Sequence, residues 1–161
     1  MIELVEKCEG GEPRETLTLP FEKRQRSRQR VKLDSGGEAA VVLPTGTSLA
    51  AGDRLRALDG TVVLVVAARE PVVTARCDDP VRLARASYHL GNRHVAVQVG
   101  DGWLRYQPDH VLDEMVQGLG LNLSYGHECF EPERGAYSGS SHSHAQPHSH
   151  GADEPSHGHP H

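Results

Sequence analysis

The sequence predicts an α+β chain with an N-terminal all-β domain, a βαββαβ domain and a disordered histidine-rich tail. Three observations carry that prediction. TLTLP alternates, AAVVLP is a short apolar run, and LRALDGTVVLVV holds two strands around Asp59-Gly60, all within the first 70 residues. From about Pro71 the period changes, and two stretches of helical periodicity alternate with short strands. Seven of the eleven histidines then crowd into the last twenty residues, among Gly, Ser and Pro.

Taken in order, residues 1–70 read as strands joined by turns, with no helix expected. TLTLP and AAVVLP are short strands, and Asp59-Gly60 between two apolar runs signals a tight hairpin. Between them lies FEKRQRSRQRVKLD, where Arg24, Arg26, Arg28 and Arg30 recur at a spacing of two. That spacing predicts four cations on one face of a strand. Gln25, Ser27 and Gln29 are polar as well, so the piece is expected to lack a core face. It reads as a charge-protected edge, and also as a basic patch suited to an acidic partner protein.

Residues 71–134 follow a different plan. VVTARC is a strand, and DDPVRLARASYHLGN is a helix with Asp79 as N-cap, Pro80 in the first turn and Gly91 as its stop. HVAVQV alternates as a strand with Val95, Val97 and Val99 on one face, and GDG turns the chain into WLRYQ. HVLDEMVQGLG is a second helix with an apolar stripe of Val111, Leu112, Met115, Val116 and Leu119, ended by Gly118 or Gly120. LNLSYG is the last strand. The order β-α-β-β-α-β is that of a ferredoxin-like fold. Residues 135–161 hold too little apolar side chain to offset chain entropy, so disorder is expected there.

Composition narrows the function. At 161 residues, with 37% hydrophobic and 4% aromatic side chains, two small domains would gain from docking or from dimerising. A formal charge of −5 and the lack of a basic stripe interleaved with aromatics argue against nucleic acid as a partner. Cys8, Cys77 and Cys129 are far apart and form no CxxC pair, which fits free thiols in a reducing cytoplasm. The N-terminus has no signal-peptide pattern, and the longest apolar run, Thr61 to Ala68, falls far short of the ~20 residues that cross a bilayer. No membrane role is expected. Phosphate loops, dinucleotide fingerprints, GxSxG and HExxH are all missing, so the chain does not read as an enzyme.

Histidine is what remains. His142, His144, His148, His150, His157, His159 and His161 alternate with small residues in HxH pairs, so they can wrap a metal of loosely specified geometry. Neutral imidazole suits nickel, copper and zinc, whereas magnesium and calcium want oxygen. Four more histidines, His89, His94, His110 and His127, lie in the expected folded part, and spacing alone does not choose among them.

The runs YHLGNRHVAVQV, LRYQPDHVLDEM and FEPERGAYSGSSHSHAQPHSH, with RQRSRQRVKLDSGGEAAVVLPTGTSLAAGD before them, resemble the UreE family of urease accessory proteins. The resemblance spans nearly the whole chain, and GNRH is its most specific motif. It implies a cytoplasmic nickel metallochaperone that carries Ni²⁺ as cargo, with zinc or copper as competing ions in vitro. It further implies a homodimer formed through the C-terminal domain and an N-terminal domain akin to the peptide-binding domain of a chaperone. On this resemblance His94 is the GNRH histidine at the two-fold axis, where symmetry turns one residue into two ligands. His110 is an auxiliary ligand, and the tail histidines complete coordination or hold ions in reserve. Some members carry extra histidines just before Asp109, where this chain has Gln107 and Pro108. The implied partners are a GTP-hydrolysing accessory protein and the apo-urease complex. The competing readings are a nickel or zinc storage and detoxification protein, and a peptide-binding module whose histidines are incidental.

Overall fold

A computed structural model describes residues 1–135, so the tail histidines named above lie outside the described residues. The first part of the chain contains β1 (Ile2–Cys8), β2 (Glu15–Leu19), a one-turn helix α1 (Phe21–Arg24), β3 (Arg28–Lys32), β4 (Glu38–Val42), β5 (Arg54–Ala57) and β6 (Val62–Ala67). They form one sheet in the order β2-β6-β5-β1-β4-β3. β1–β4 and β2–β6 are parallel pairs, and the remaining pairs are antiparallel. Leu4, Leu17, Val41, Leu55 and Val63 fill a core from which water is essentially excluded. The Asp59-Gly60 turn joins β5 to β6 as expected, closed by Ala57 N–H donating to the Thr61 carbonyl at 2.8 Å.

The arginine run departs from the sequence expectation. Only Arg28 and Arg30 lie in a strand; Arg24 ends α1, and Arg26 follows it, paired with Glu22 at 2.8 Å. Arg24 is 2% exposed. Its Nε donates to the Leu19 carbonyl at 3.2 Å, and its Nη2 donates to the Phe130 carbonyl. Burial pulls this guanidinium below the usual arginine range, while Glu131 and Glu70 oppose the shift. Spacing could not reveal this, because the partner that accepts the charge lies 106 residues away. β3 is an edge strand, yet it has a core face after all, since Val31 packs into the interior.

The second part comprises β7 (Arg69–Arg76), α2 (Pro80–Asn92), β8 (Gln98–Gly100), β9 (Trp103–Tyr106), α3 (His110–Gly118) and β10 (Asn122–Cys129). Its four strands are antiparallel in the order β10-β7-β9-β8. Leu90 and Ala86 of α2 and Leu112 and Val116 of α3 pack onto Val73, Ala75, Leu104 and Tyr106 of the sheet. Both helices begin where expected. Asp79 accepts from Val81 N–H at 2.9 Å, and Asp109 accepts from Val111 and Leu112 N–H at 2.9 and 3.2 Å.

Three local expectations fail here. The strand read from HVAVQV shrinks to three residues; Val95 and Val97 pack against the core, but Val99 is 52% exposed. Val111 is exposed on α3 rather than part of its buried stripe. β10 runs on to Cys129, well past LNLSYG, because β7 offers it a partner along its whole length.

A single residue, Ala68, separates β6 from β7. The two parts are further joined by Phe21 N–H donating to Glu70 at 2.8 Å and by the Phe21 and Phe130 rings, 5.3 Å apart. Beyond β10 the chain crosses to β8, where Glu133 N–H donates to the Val97 carbonyl at 2.8 Å.

Candidate metal centre

His94 sits at the end of α2 in a conformation few side chains adopt. Its φ is 56°, the left-handed region, and it is the one non-glycine residue so placed among the described residues. Two hydrogen bonds define the geometry. His94 N–H donates to the Gly91 carbonyl at 3.0 Å, and Val95 N–H donates to the Leu90 carbonyl at 3.4 Å. This is the Schellman pattern, in which the residue after the C-cap turns left-handed and the next one folds back onto the last helical turn. Leu90 is buried in the core, and the partly buried Val95 packs against that core. Gly91, expected to be the stop, is inside the helix and serves only as an acceptor. The left-handed turn costs an L-residue roughly 1–2 kcal/mol, which glycine would avoid. What this arrangement secures is an exposed imidazole held at a fixed point on the surface.

His110 is the first residue of α3, exposed and just past the Asp109 cap. One turn on, Asp113 accepts from the Tyr106 hydroxyl at 2.7 Å and from the Tyr125 hydroxyl at 2.8 Å. Burial pushes the Tyr106 hydroxyl well above the ordinary tyrosine range, with the Asp113 carboxylate adding to it. The Asp113 hydrogen bond pushes Tyr125 the same way. Both oxygens of Asp113 are thus engaged in tying α3 to β9 and β10. The sequence reading missed this cluster, although Tyr106 and Asp113 at a separation of seven gave a hint of it.

The remaining histidines are dispersed. His89 is exposed on α2, and its ring meets the edge of Tyr88 at 5.4 Å. His127 is exposed on β10, where its carbonyl accepts two bonds from Arg69. Among the described residues no three His, Cys, Asp or Glu side chains converge in a way that would hold a metal ion. Among the described residues His94 and His110 are therefore not gathered with a third donor.

Comparison with known proteins bears on this geometry. The profile of the UreE urease accessory protein N-terminal domain matches residues 3–68, and that of the UreE urease accessory protein C-terminal domain matches residues 70–161. The chain belongs to the UreE family. It is 54% identical over 140 residues to a urease accessory protein UreE of Alkalilimnicola ehrlichii, covering 86% of each chain. It is 50% identical over 136 residues to one of Citrobacter koseri, covering 84% of this chain and 90% of the relative. A third, from Proteus mirabilis, is 51% identical over 128 residues, 80% of each chain. Members of the UreE family are accessory proteins, and the chain is not an enzyme. No helix among its described residues is long and apolar enough to cross a membrane.

Proposed function

We propose that this chain is a cytoplasmic nickel metallochaperone of urease maturation, binding Ni²⁺ as cargo and delivering it to apo-urease alongside a GTP-hydrolysing accessory partner. The observation that carries the reading is His94. An exposed imidazole occupies a left-handed helix terminus where glycine is the unstrained choice. Strain kept at one exposed position is the mark of a side chain needed there. The relatives' names supply the context of urease assembly.

Residues 1–70 form the N-terminal domain and residues 71–134 a ferredoxin-like domain, a reading supported by the strand order β10-β7-β9-β8. The second domain carries the homodimer interface, which brings two copies of His94 to one ion. Dimerisation supplies what one folded chain lacks, since no third donor approaches His94 among the described residues. His110, with its exposed imidazole, serves as auxiliary donor. His142, His144, His148, His150, His157, His159 and His161 form a reserve that raises capacity. Imidazole donors alone favour copper, so on this reading it is the partner's acceptance of the cargo that selects nickel.

The test is urease activity across a nickel titration in cells carrying wild type, His94→Ala or His127→Ala. His94→Ala should lose activation at low nickel and recover at high nickel, while His127→Ala tracks wild type. Equilibrium dialysis supplements it. Truncation after Ser138 should lower the nickel count per dimer yet leave one tight site. A truncated dimer that binds no nickel at micromolar concentration would instead favour a storage protein.

A further inference from the structure

The open edge of β3 is the surface the proposed function leaves unused. The two outer strands of the first sheet, β2 and β3, are treated very differently. The β2 edge is closed: Asp34 N–H donates to the Thr16 carbonyl at 3.0 Å, and Asp34 accepts from Thr18 N–H at 3.2 Å. Its carboxylate also takes both threonine hydroxyls, at 2.5 and 2.7 Å. Among the described residues β3 has no such cover.

The register fixes which groups face outward. β3 pairs with β4 as Arg28 with Val42, Arg30 with Ala40 and Lys32 with Glu38. The ladder continues at both ends through Leu43 N–H to the Ser27 carbonyl, 2.9 Å, and Leu33 N–H to the Gly37 carbonyl, 2.7 Å. Hydrogen-bonded pairs alternate in an antiparallel ladder. Ser27, Gln29, Val31 and Leu33 therefore bond to β4, and the peptide groups of Arg28, Arg30 and Lys32 point away from it. The same three residues carry exposed cationic side chains. None of them, nor Lys23 nearby, is in an ion pair among the described residues.

Beside this edge lies a cleft of about 360 Å³, with Thr18, Leu19 and Pro20 on the β2 side and Lys23, Arg30 and Lys32 on the other. Glu38 is the one carboxylate lining it. The geometry thus offers a row of backbone donors and acceptors unpaired among the described residues, cations spaced two apart, and a partly apolar floor. An extended peptide with acidic residues at alternate positions matches all three features. β10, at the end of the second sheet, carries no lysine or arginine and offers no such match.

We infer that β3 is a docking edge for an acidic, extended segment of a protein partner, which adds as a further strand alongside Arg28, Arg30 and Lys32. The site is distinct from His94 and independent of metal.

Fluorescence anisotropy tests it with a labelled (Glu-Val)5 peptide and the full chain, in the presence of a chelator so that histidine-bound metal recruits no carboxylate. The wild type should bind this peptide, and binding should fall at least tenfold with (Lys-Val)5 and with a fully N-methylated (Glu-Val)5. Arg30→Glu with Lys32→Glu should weaken it at least tenfold, while nickel binding by the same variant, measured separately without chelator, stays unchanged. Arg30→Pro removes one outward N–H that β4 does not use, and should weaken binding without unfolding the chain. Circular dichroism checks each variant, and Arg30→Gln with Lys32→Gln replaces the charge reversal if that chain fails to fold. Equal binding of the N-methylated peptide would overturn strand addition in favour of bare charge attraction. No binding of (Glu-Val)5 by the wild type would overturn the docking edge and leave the cations as guards against aggregation.

Discussion

The ends of α2 and α3 are built alike and filled differently. At α3, Gly120 N–H donates to the Gln117 carbonyl at 3.0 Å and Leu121 N–H to the Val116 carbonyl at 3.4 Å. At α2 the same two bonds, at the same lengths, run from His94 and Val95 to Gly91 and Leu90. Gly120 turns left-handed at φ 92°, where glycine pays no steric penalty, and His94 does so at φ 56°. Both ends are sealed by an apolar residue folded back onto the core. The left-handed turn is thus met by glycine at one end and by a strained histidine at the other. On the proposed function, one position is filled for folding and the other for chemistry.

The largest expected effect separates these two roles. His94→Gly should weaken nickel binding by the chain truncated after Ser138 at least tenfold, whereas Gly120→Ala should leave it unchanged; isothermal titration of both variants reads the difference. If Gly120→Ala weakens nickel equally, the two ends are not functionally distinct and the comparison collapses.

Stability should run the other way. Gly120→Ala forces a Cβ into the left-handed region, where it would meet the Arg82 guanidinium at 2.8 Å. That side chain can swing aside, so the backbone cost of about 1 kcal/mol should dominate in denaturant unfolding. His94→Gly should stabilise the chain by about 0.5 kcal/mol, because relief of strain outweighs the added freedom of the unfolded chain. A destabilised His94→Gly would mean the imidazole has a structural partner that the comparison ignores.

The smallest effect concerns how α3 is anchored. Tyr106 and Tyr125 both bond to Asp113, and both hold their protons more tightly when folded. The unfolded chain thus releases these protons first, above about pH 10. Stability is fully present below that pH and declines above it. Tyr106→Phe should flatten the decline, measured as unfolding midpoints between pH 9 and 11. Among the described residues α2 has no tyrosine–carboxylate tie of this kind, so His89→Phe on that helix should leave the slope alone.

What could be read from the sequence follows the range of the interactions concerned. Helix starts were legible, since Asp79 and Asp109 cap N–H groups two and three residues ahead. The Asp59-Gly60 turn was legible for the same reason. Helix ends were less so: Gly91 looked like the stop, but α2 continues past it to Asn92 and closes with Val95 N–H folded back onto the Leu90 carbonyl. Arg24 looked solvated because nothing local reveals that the Phe130 carbonyl will receive it. As for the candidate site, spacing left His89, His94, His110 and His127 open and only the resemblance carried by GNRH chose His94, whose strained backbone was invisible without the fold. The Tyr106–Asp113–Tyr125 cluster was missed because it joins three separate elements.

The position of β1 in its sheet sets an order of events during synthesis. β1 emerges first, yet it lies between β5 and β4, so its partners are residues 38–42 and 54–57. At about 5–20 residues per second, it waits roughly three to ten seconds for both. Through that interval Leu4, which ends fully buried, has no core to enter. Glu3, Glu6 and Lys7, which flank it in the chain, are charges of the kind that guard an apolar segment against aggregation until its partners arrive.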